Sequence, residues 1–411
     1  MQLELTNECK GLLRQGKAAW LALGILVLSV PCLSQAGTLE SDIGEPTSYP
    51  FSTSISDSHS PSLTSTKLSL AAAMGARSVT DDLTDSRQAG AALRFSLVKN
   101  LLDDVDGSII AGTRLYAGNS RALFSSEFDS GSYMFVDQAL LDWRIVKEGH
   151  ISAGIIVQRD DVFGSPLLLG GSGFPGLQEE YTILGDQFKI TLMGEQTIPT
   201  SQNLSTRAVQ ADSTPWFLYE KAVIDVKATS DLRLLASMGH FAYGPLPSNV
   251  ASDSKLLGNT VNGTGPQSAD FAYDYEGYEV SVKSEYSLLK NLNWELEGSQ
   301  LKNLRAPSGN NQGQYVRNAF SFFTAKTKWE PELGFFRNES DSSPAYYNSK
   351  WMGHNNREGY FVGGNVDLPG LNQGRINISG RYGREDVIRV TPLQADRNFF
   401  EVELEAVYAL L

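Results

Sequence analysis

Short and long connections alternate along this chain, and that rhythm limits the folds open to it. From Leu63 onward about sixteen segments alternate apolar and polar residues, the period of a half-buried strand. The short connections are "KNLLDDVDG", "KEG", "GD", "ATSD", "LKN", "KWEP" and "PGLNQG". The long ones include "SVTDDLTDSRQ", "RDDVFGSPLLLGGSGFPG", "RAPSGNNQGQYV" and "ESDSSPAYYNSKWMGHNNRE", and the two kinds interleave strictly. A soluble sandwich has no reason for this rhythm. An antiparallel up-and-down barrel through a membrane does, because every second connection lies on the same side. The expected fold is all-β: a closed transmembrane barrel with short periplasmic turns and long extracellular loops.

The final segment, "NFFEVELEAVYALL", shows the two faces. Phe400, Val402, Leu404, Ala406, Tyr408 and Leu410 fall on one side and Glu401, Glu403 and Glu405 on the other. In a membrane barrel the apolar face meets lipid and the glutamates meet a wet lumen. The same split places Arg94 on the polar side of the second strand, Arg114 on that of the third, and Asp142 and Arg144 on that of the fourth. The faces of "NAFSFFTAKTK" and "EPELGFFRN" are ambiguous; in the first, Phe322 and Phe323 are adjacent. Trp143, Trp216, Tyr278, Trp294, Trp329, Tyr382 and Tyr408 lie within or near strand ends, where rings prefer the headgroup level.

The totals agree with an exported barrel. The chain has 411 residues and a net charge of −13. Its mean hydropathy of −0.22 is too polar for a helical membrane protein, but alternating strands hide from such an average. An acidic chain repels phosphate, which argues against nucleic acid as a partner. The one long apolar run, "AAWLALGILVLSVPCLSQAG", follows Lys10, Arg14 and Lys17 and ends in a small-x-small site. This is the layout of a secretory signal peptide over residues 1–36. Both cysteines, Cys9 and Cys32, fall within it, so cleavage after Ala36 leaves no disulfide or cysteine-ligated metal. Residues 37–62, rich in Ser, Thr and Pro, read as a flexible periplasmic lead-in, and residues 63–411 as the barrel.

Little in the sequence points to catalysis. There are four histidines; only His240 and His354 are expected on the outer rim, and neither accompanies a G-x-S-x-G elbow. H-E-x-x-H spacing is absent, and no cofactor or metal is expected. The chain is read as a non-enzyme.

The signal peptide, the sixteen-strand rhythm and the aromatic-rich closing strand together resemble Gram-negative outer-membrane porins over about residues 63–411. The resemblance implies passive diffusion of small hydrophilic solutes and ions in the outer membrane. It implies contact with outer-membrane lipid and lipopolysaccharide, insertion by the barrel-assembly machinery, and a homotrimer. The last residue, Leu411, departs from the usual terminal aromatic of the insertion signal, with Tyr408 three before the end. In porins the loop after the fifth strand folds inward and narrows the pore; here that connection begins with Asp160 and Asp161. Arg94, Arg114 and Arg144 on consecutive strands are then expected to form a basic wall opposite Asp160 and Asp161, with Glu401, Glu403 and Glu405 adding negative potential. The alternative readings are a fatty-acid transporter, which would need about fourteen strands and a more apolar lumen, and a non-conducting adhesin or outer-membrane enzyme barrel.

Overall fold

A computed structural model describes residues 66–122, 132–157, 166–170, 173–199, 214–263, 265, 268–324, 326–349, 352–370 and 374–410. The proposed signal peptide and lead-in lie outside these residues. The strands in chain order are β1 (Thr66–Asp81), β2 (Thr84–Leu102), β3 (Val105–Ala122), β4 (Ser132–Val146), β5 (Gly149–Val157), β6 (Gly173–Leu184), β7 (Phe188–Thr197), β8 (Phe217–Lys227) and β9 (Leu232–Tyr243). Helix α1 (Ser248–Leu256) and a small hairpin of β10 (Val261–Asn262) and β11 (Asp270–Phe271) follow. Then come β12 (Glu276–Leu289), β13 (Leu292–Asn303), β14 (Gln312–Phe323), β15 (Lys328–Asn338), β16 (Arg357–Pro369), β17 (Arg375–Val387) and β18 (Arg397–Ala409).

All but β10 and β11 form one closed barrel of antiparallel neighbours, sixteen strands in number. This excludes the fourteen-strand count of the transporter alternative. The seam pairs β1 with β18 from Ser69↔Ala409 to Asp81↔Arg397. Closure pairs the backbone groups of every strand, as hydrocarbon demands.

Period two sorts the side chains as expected. Leu93, Trp143, Ile224, Val282, Trp329, Phe400 and Leu404 are exposed on the outer wall, while Arg94, Arg114, Glu279, Glu332 and Glu405 are buried within. A continuous ring of exposed Leu, Val, Ile and aromatic side chains is unfavourable in water and fits hydrocarbon. Trp294 donates its indole N–H to Asn318 across β13 and β14 at 2.5 Å, so the ring keeps a polar partner.

Four connections differ from the sequence expectation. The stretch "SVTDDLTDSRQ" is no long loop: β1 runs to Asp81 and β2 starts at Thr84, with Leu83 donating its N–H to the Asp81 carboxylate at 2.7 Å. Its polar residues gave no apolar face to read. In "RAPSGNNQGQYV" the last five residues already belong to β14, which ends at Phe323. The following turn closes from Thr324 N–H to the Thr327 carbonyl at 2.9 Å, and "KWEP" lies inside β15. The adjacent phenylalanines had blurred both register and boundary. Finally, residues 339–349 and 352–356 of the "ESDSSPAYYNSKWMGHNNRE" loop are almost entirely buried.

Candidate functional site: the lumen and its inward loops

On β1 to β3 the inward face carries Arg77, Arg94 and Arg114, each less than a tenth exposed. Arg94 lies 3.6 Å from Glu405 on β18, reaching over β1. The inward residues of β1 there, Ala71 and Ala73, are too small to stand between them. Arg77 is level with Glu401 across the seam. Arg114 lies 3.9 Å from Asp137, its guanidinium 4.2 Å over the Phe135 ring. The result is an arginine column beside an acidic one.

A second network covers β12 to β17. Arg317 bonds Glu332 at 2.7 Å and Glu330 at 2.8 Å, contacts Glu295, and lies 3.9 Å from Glu297. Glu332 also holds Arg381 at 2.7 Å, and Arg381 stacks 4.8 Å over Phe361. Lys283 bridges Glu295 at 3.0 Å and Glu285 at 3.1 Å. Nearby, Tyr219 donates its hydroxyl proton to Glu279 at 2.9 Å. Fixed charges of both signs on a ring create a field across the lumen.

The residues read from sequence do not all converge. Arg94, Arg114, Glu401, Glu403 and Glu405 share one region of wall. Asp142 and Arg144 lie apart, at the short-turn rim. Asp142 accepts the Ser152 hydroxyl at 2.6 Å, and the Arg144 N–H bonds the Asp104 carbonyl at 2.8 Å. Arg144 therefore does not join a wall with the other two, because sequential strands share a face but not a height. Asp160 and Asp161 lie outside the described residues. Sequence reasoning missed Arg317, Glu330 and Glu332 because the faces of β14 and β15 could not be assigned. It missed Arg77 because the assigned first strand ended there.

The long-loop half of the lumen is packed. Phe174, Phe217, Phe241, Phe336, Phe361 and Phe399, each at most 4% exposed, join one apolar cluster with Leu167, Leu168, Tyr347 and Met352. Tyr243 and Tyr347 stack with ring centroids 6.0 Å apart and planes 4° apart. Leu167 and Leu168 belong to the connection after β5. That connection is bonded to the loop after β15: Gly170 N–H to the Tyr347 carbonyl at 2.6 Å, Ser349 N–H to the Pro166 carbonyl at 3.1 Å, and the Ser343 hydroxyl to the Leu167 carbonyl at 2.8 Å. Buried backbone groups need partners, and asparagine side chains supply many of them. Asn303 donates to the Asp341 carbonyl at 2.9 Å, Asn338 to the His354 carbonyl at 3.0 Å, and Asn355 to the Ser340 and Ser343 carbonyls at 3.0 and 2.6 Å.

His354 is not on the rim as expected. It is 1% exposed, with Nδ1 2.8 Å from the Ala345 carbonyl and 2.9 Å from Asn348. His240 does lie at a strand end, 3.8 Å from both Glu220 and Glu276. His150 pairs with Glu180 at 3.7 Å. Among the described residues no group of three His, Cys, Asp or Glu could hold a metal ion.

No family model matches the sequence, and no curated protein matches it. Solved structures do resemble the fold. OprB of Pseudomonas putida, in its high-pH structure, matches with a TM-score of 0.54 and 11% identity over 84% of this chain and 94% of that one. OccK7 (OpdD) of Pseudomonas aeruginosa matches with a TM-score of 0.49 and 11% identity over 84% of this chain and 98% of that one. The likeness to OprB concerns architecture: the two chains share a closed β-barrel fold.

Proposed function

We propose that this chain is a passive channel in the outer membrane of a Gram-negative bacterium, exported by its N-terminal signal peptide. It passes small hydrophilic solutes and ions. The observation that carries this reading is the two-signed charge on the inward face, with Arg77, Arg94 and Arg114 on one stretch of wall and the Arg317–glutamate network on another. A barrel that only anchored loops would gain nothing from so many lumen charges, each of which must be solvated or paired. The passage narrows where the loop after β5 enters, with Asp160 and Asp161 contributing negative potential. Outer-membrane lipid and lipopolysaccharide surround it, and the barrel-assembly machinery inserts it. The resemblance to porins supports a homotrimer.

Reconstitution in a planar bilayer tests the reading: stepwise conductance is expected, and its absence overturns it. Replacing Asp160 and Asp161 by Asn should move the reversal potential toward anions; no movement removes them from the constriction. The packed aromatic half favours one second reading, a sealed barrel whose loops bind a partner, and a silent bilayer would select it.

A further inference from the structure

We infer that two consecutive residues of the loop after β9, Asn259 and Thr260, act as a clasp holding the loop after β15 inside the lumen, and that this held loop sets the width of the passage. The inference rests on the channel reading above. It concerns positioning: neither residue need touch a solute.

The clasp closes on four residues of the other loop, Ser340, Asp341, Ser343 and Ala345. The Asn259 amide nitrogen lies 2.7 Å from the Ser340 carbonyl, 3.0 Å from the Ser343 carbonyl and 2.9 Å from the Tyr275 hydroxyl. Its amide oxygen accepts the Ala345 N–H at 2.7 Å. Both ends of one side chain are therefore committed, and Asn259 is 5% exposed. Thr260 grips the same stretch through Asp341, which accepts the Thr260 N–H at 2.9 Å and its hydroxyl at 2.7 Å. No other uncharged side chain both donates to carbonyls and accepts an N–H through one planar amide at this reach. Glutamine has the same groups but one methylene more.

The residue before the clasp makes an independent contact. Gly258 has φ +106°, and a Cβ there would lie 2.3 Å from the Asn355 carbonyl oxygen. Leu257 accepts the Asn355 N–H at 3.0 Å. The two loops thus approach at backbone distance, which only glycine permits. The clasped stretch is in turn the one bonded to Leu167 and Gly170 of the loop after β5. Releasing it would free both inward loops together.

The test compares the full chain with Asn259→Leu, which keeps the branched shape in a somewhat larger side chain and removes every side-chain hydrogen bond. Gly258→Ala is the second variant, and Lys255→Gln, a half-buried helix position whose ammonium donates to the Gly263 carbonyl within the same loop, is the control. Single-channel conductance in a planar bilayer is read beside amide hydrogen exchange of residues 340–349. Both test variants should raise conductance by about twofold or more, because a lumen constriction governs ion flow. They should also speed exchange by at least about tenfold, through local opening. Lys255→Gln should change neither. Faster exchange with unchanged conductance would show that this loop does not set the width. Unchanged exchange would show that the clasp does not hold it. A silent wild type with a conducting Asn259→Leu would overturn an open channel while upholding the clasp; silence in both, with exchange unchanged, would overturn both.

Discussion

The same strands line two different interiors. Toward the short turns their inward faces carry Glu295 and Glu297 on β13, Glu330 and Glu332 on β15, and Glu403 and Glu405 on β18. Toward the long loops the same faces continue as Leu301 and Asn303, Phe336 and Asn338, and Phe399. The first half satisfies its polar groups by ion pairs between buried and half-buried side chains. The second half excludes water and satisfies its backbone with asparagine amides. Period two decides which side of the wall a residue takes. Whether that side meets water or protein depends on what the loops do at each height.

The contrast can be broken by substitution, and the largest effect belongs to the dry half. Phe361→Ala should destabilise the barrel by about 3–5 kcal/mol, the range for emptying a packed aromatic site. Urea unfolding in detergent micelles reads it, and a loss below about 1 kcal/mol would mean the half is not packed. Asn338→Ala comes next. It strips the His354 carbonyl and the Ser342 hydroxyl of a buried partner and should cost about 1–3 kcal/mol in the same assay. Arg317→Met sharpens the comparison from the other side. With its side chain 15% exposed and that of Glu332 4%, its loss leaves glutamates unpaired and should cost nearer the ~3–5 kcal/mol of a broken buried pair than the ~1 kcal/mol or less of an exposed one. It should also move the reversal potential toward cations.

The smallest effect is a pH dependence. Burial raises the Asp341 carboxyl above its ordinary value, against the hydrogen bonds from Thr260. A raised acid binds its proton more readily in the folded loop than in the free chain. Loop packing is therefore firmest below the ordinary aspartate range of about 3.9 and weakens as pH rises through the window just above it. Hydrogen exchange of residues 340–349 should show this trend, and Asp341→Asn should abolish it.

The sequence made the barrel legible because its strands are half in lipid and half in water, so every second residue reports its side. "NFFEVELEAVYALL" needed no neighbour to be read. Boundaries failed where both faces are mostly polar, as at the first hairpin, or where two phenylalanines adjoin, as at Phe322 and Phe323. Arg94, Arg114 and the three terminal glutamates lie on the inward face as read, because alternation marks them. Arg144 was misplaced because heights depend on stagger, which no single strand encodes. The inward turn of the loop after β15 was invisible: Asn259 and Ser340 bond across 81 positions of chain. A polar loop that folds inward has the same composition as one that stays outside.

The seam has a consequence for assembly. Each neighbouring hairpin can zip at the cost of a short loop, whereas β1 and β18 meet only after the contour of the whole ring has been drawn round. Until then two raw borders would stand in hydrocarbon with their amides unanswered. Insertion and circularisation are therefore coupled, and a nascent sheet lacking its last ribbon gains no partial credit for the fifteen already paired.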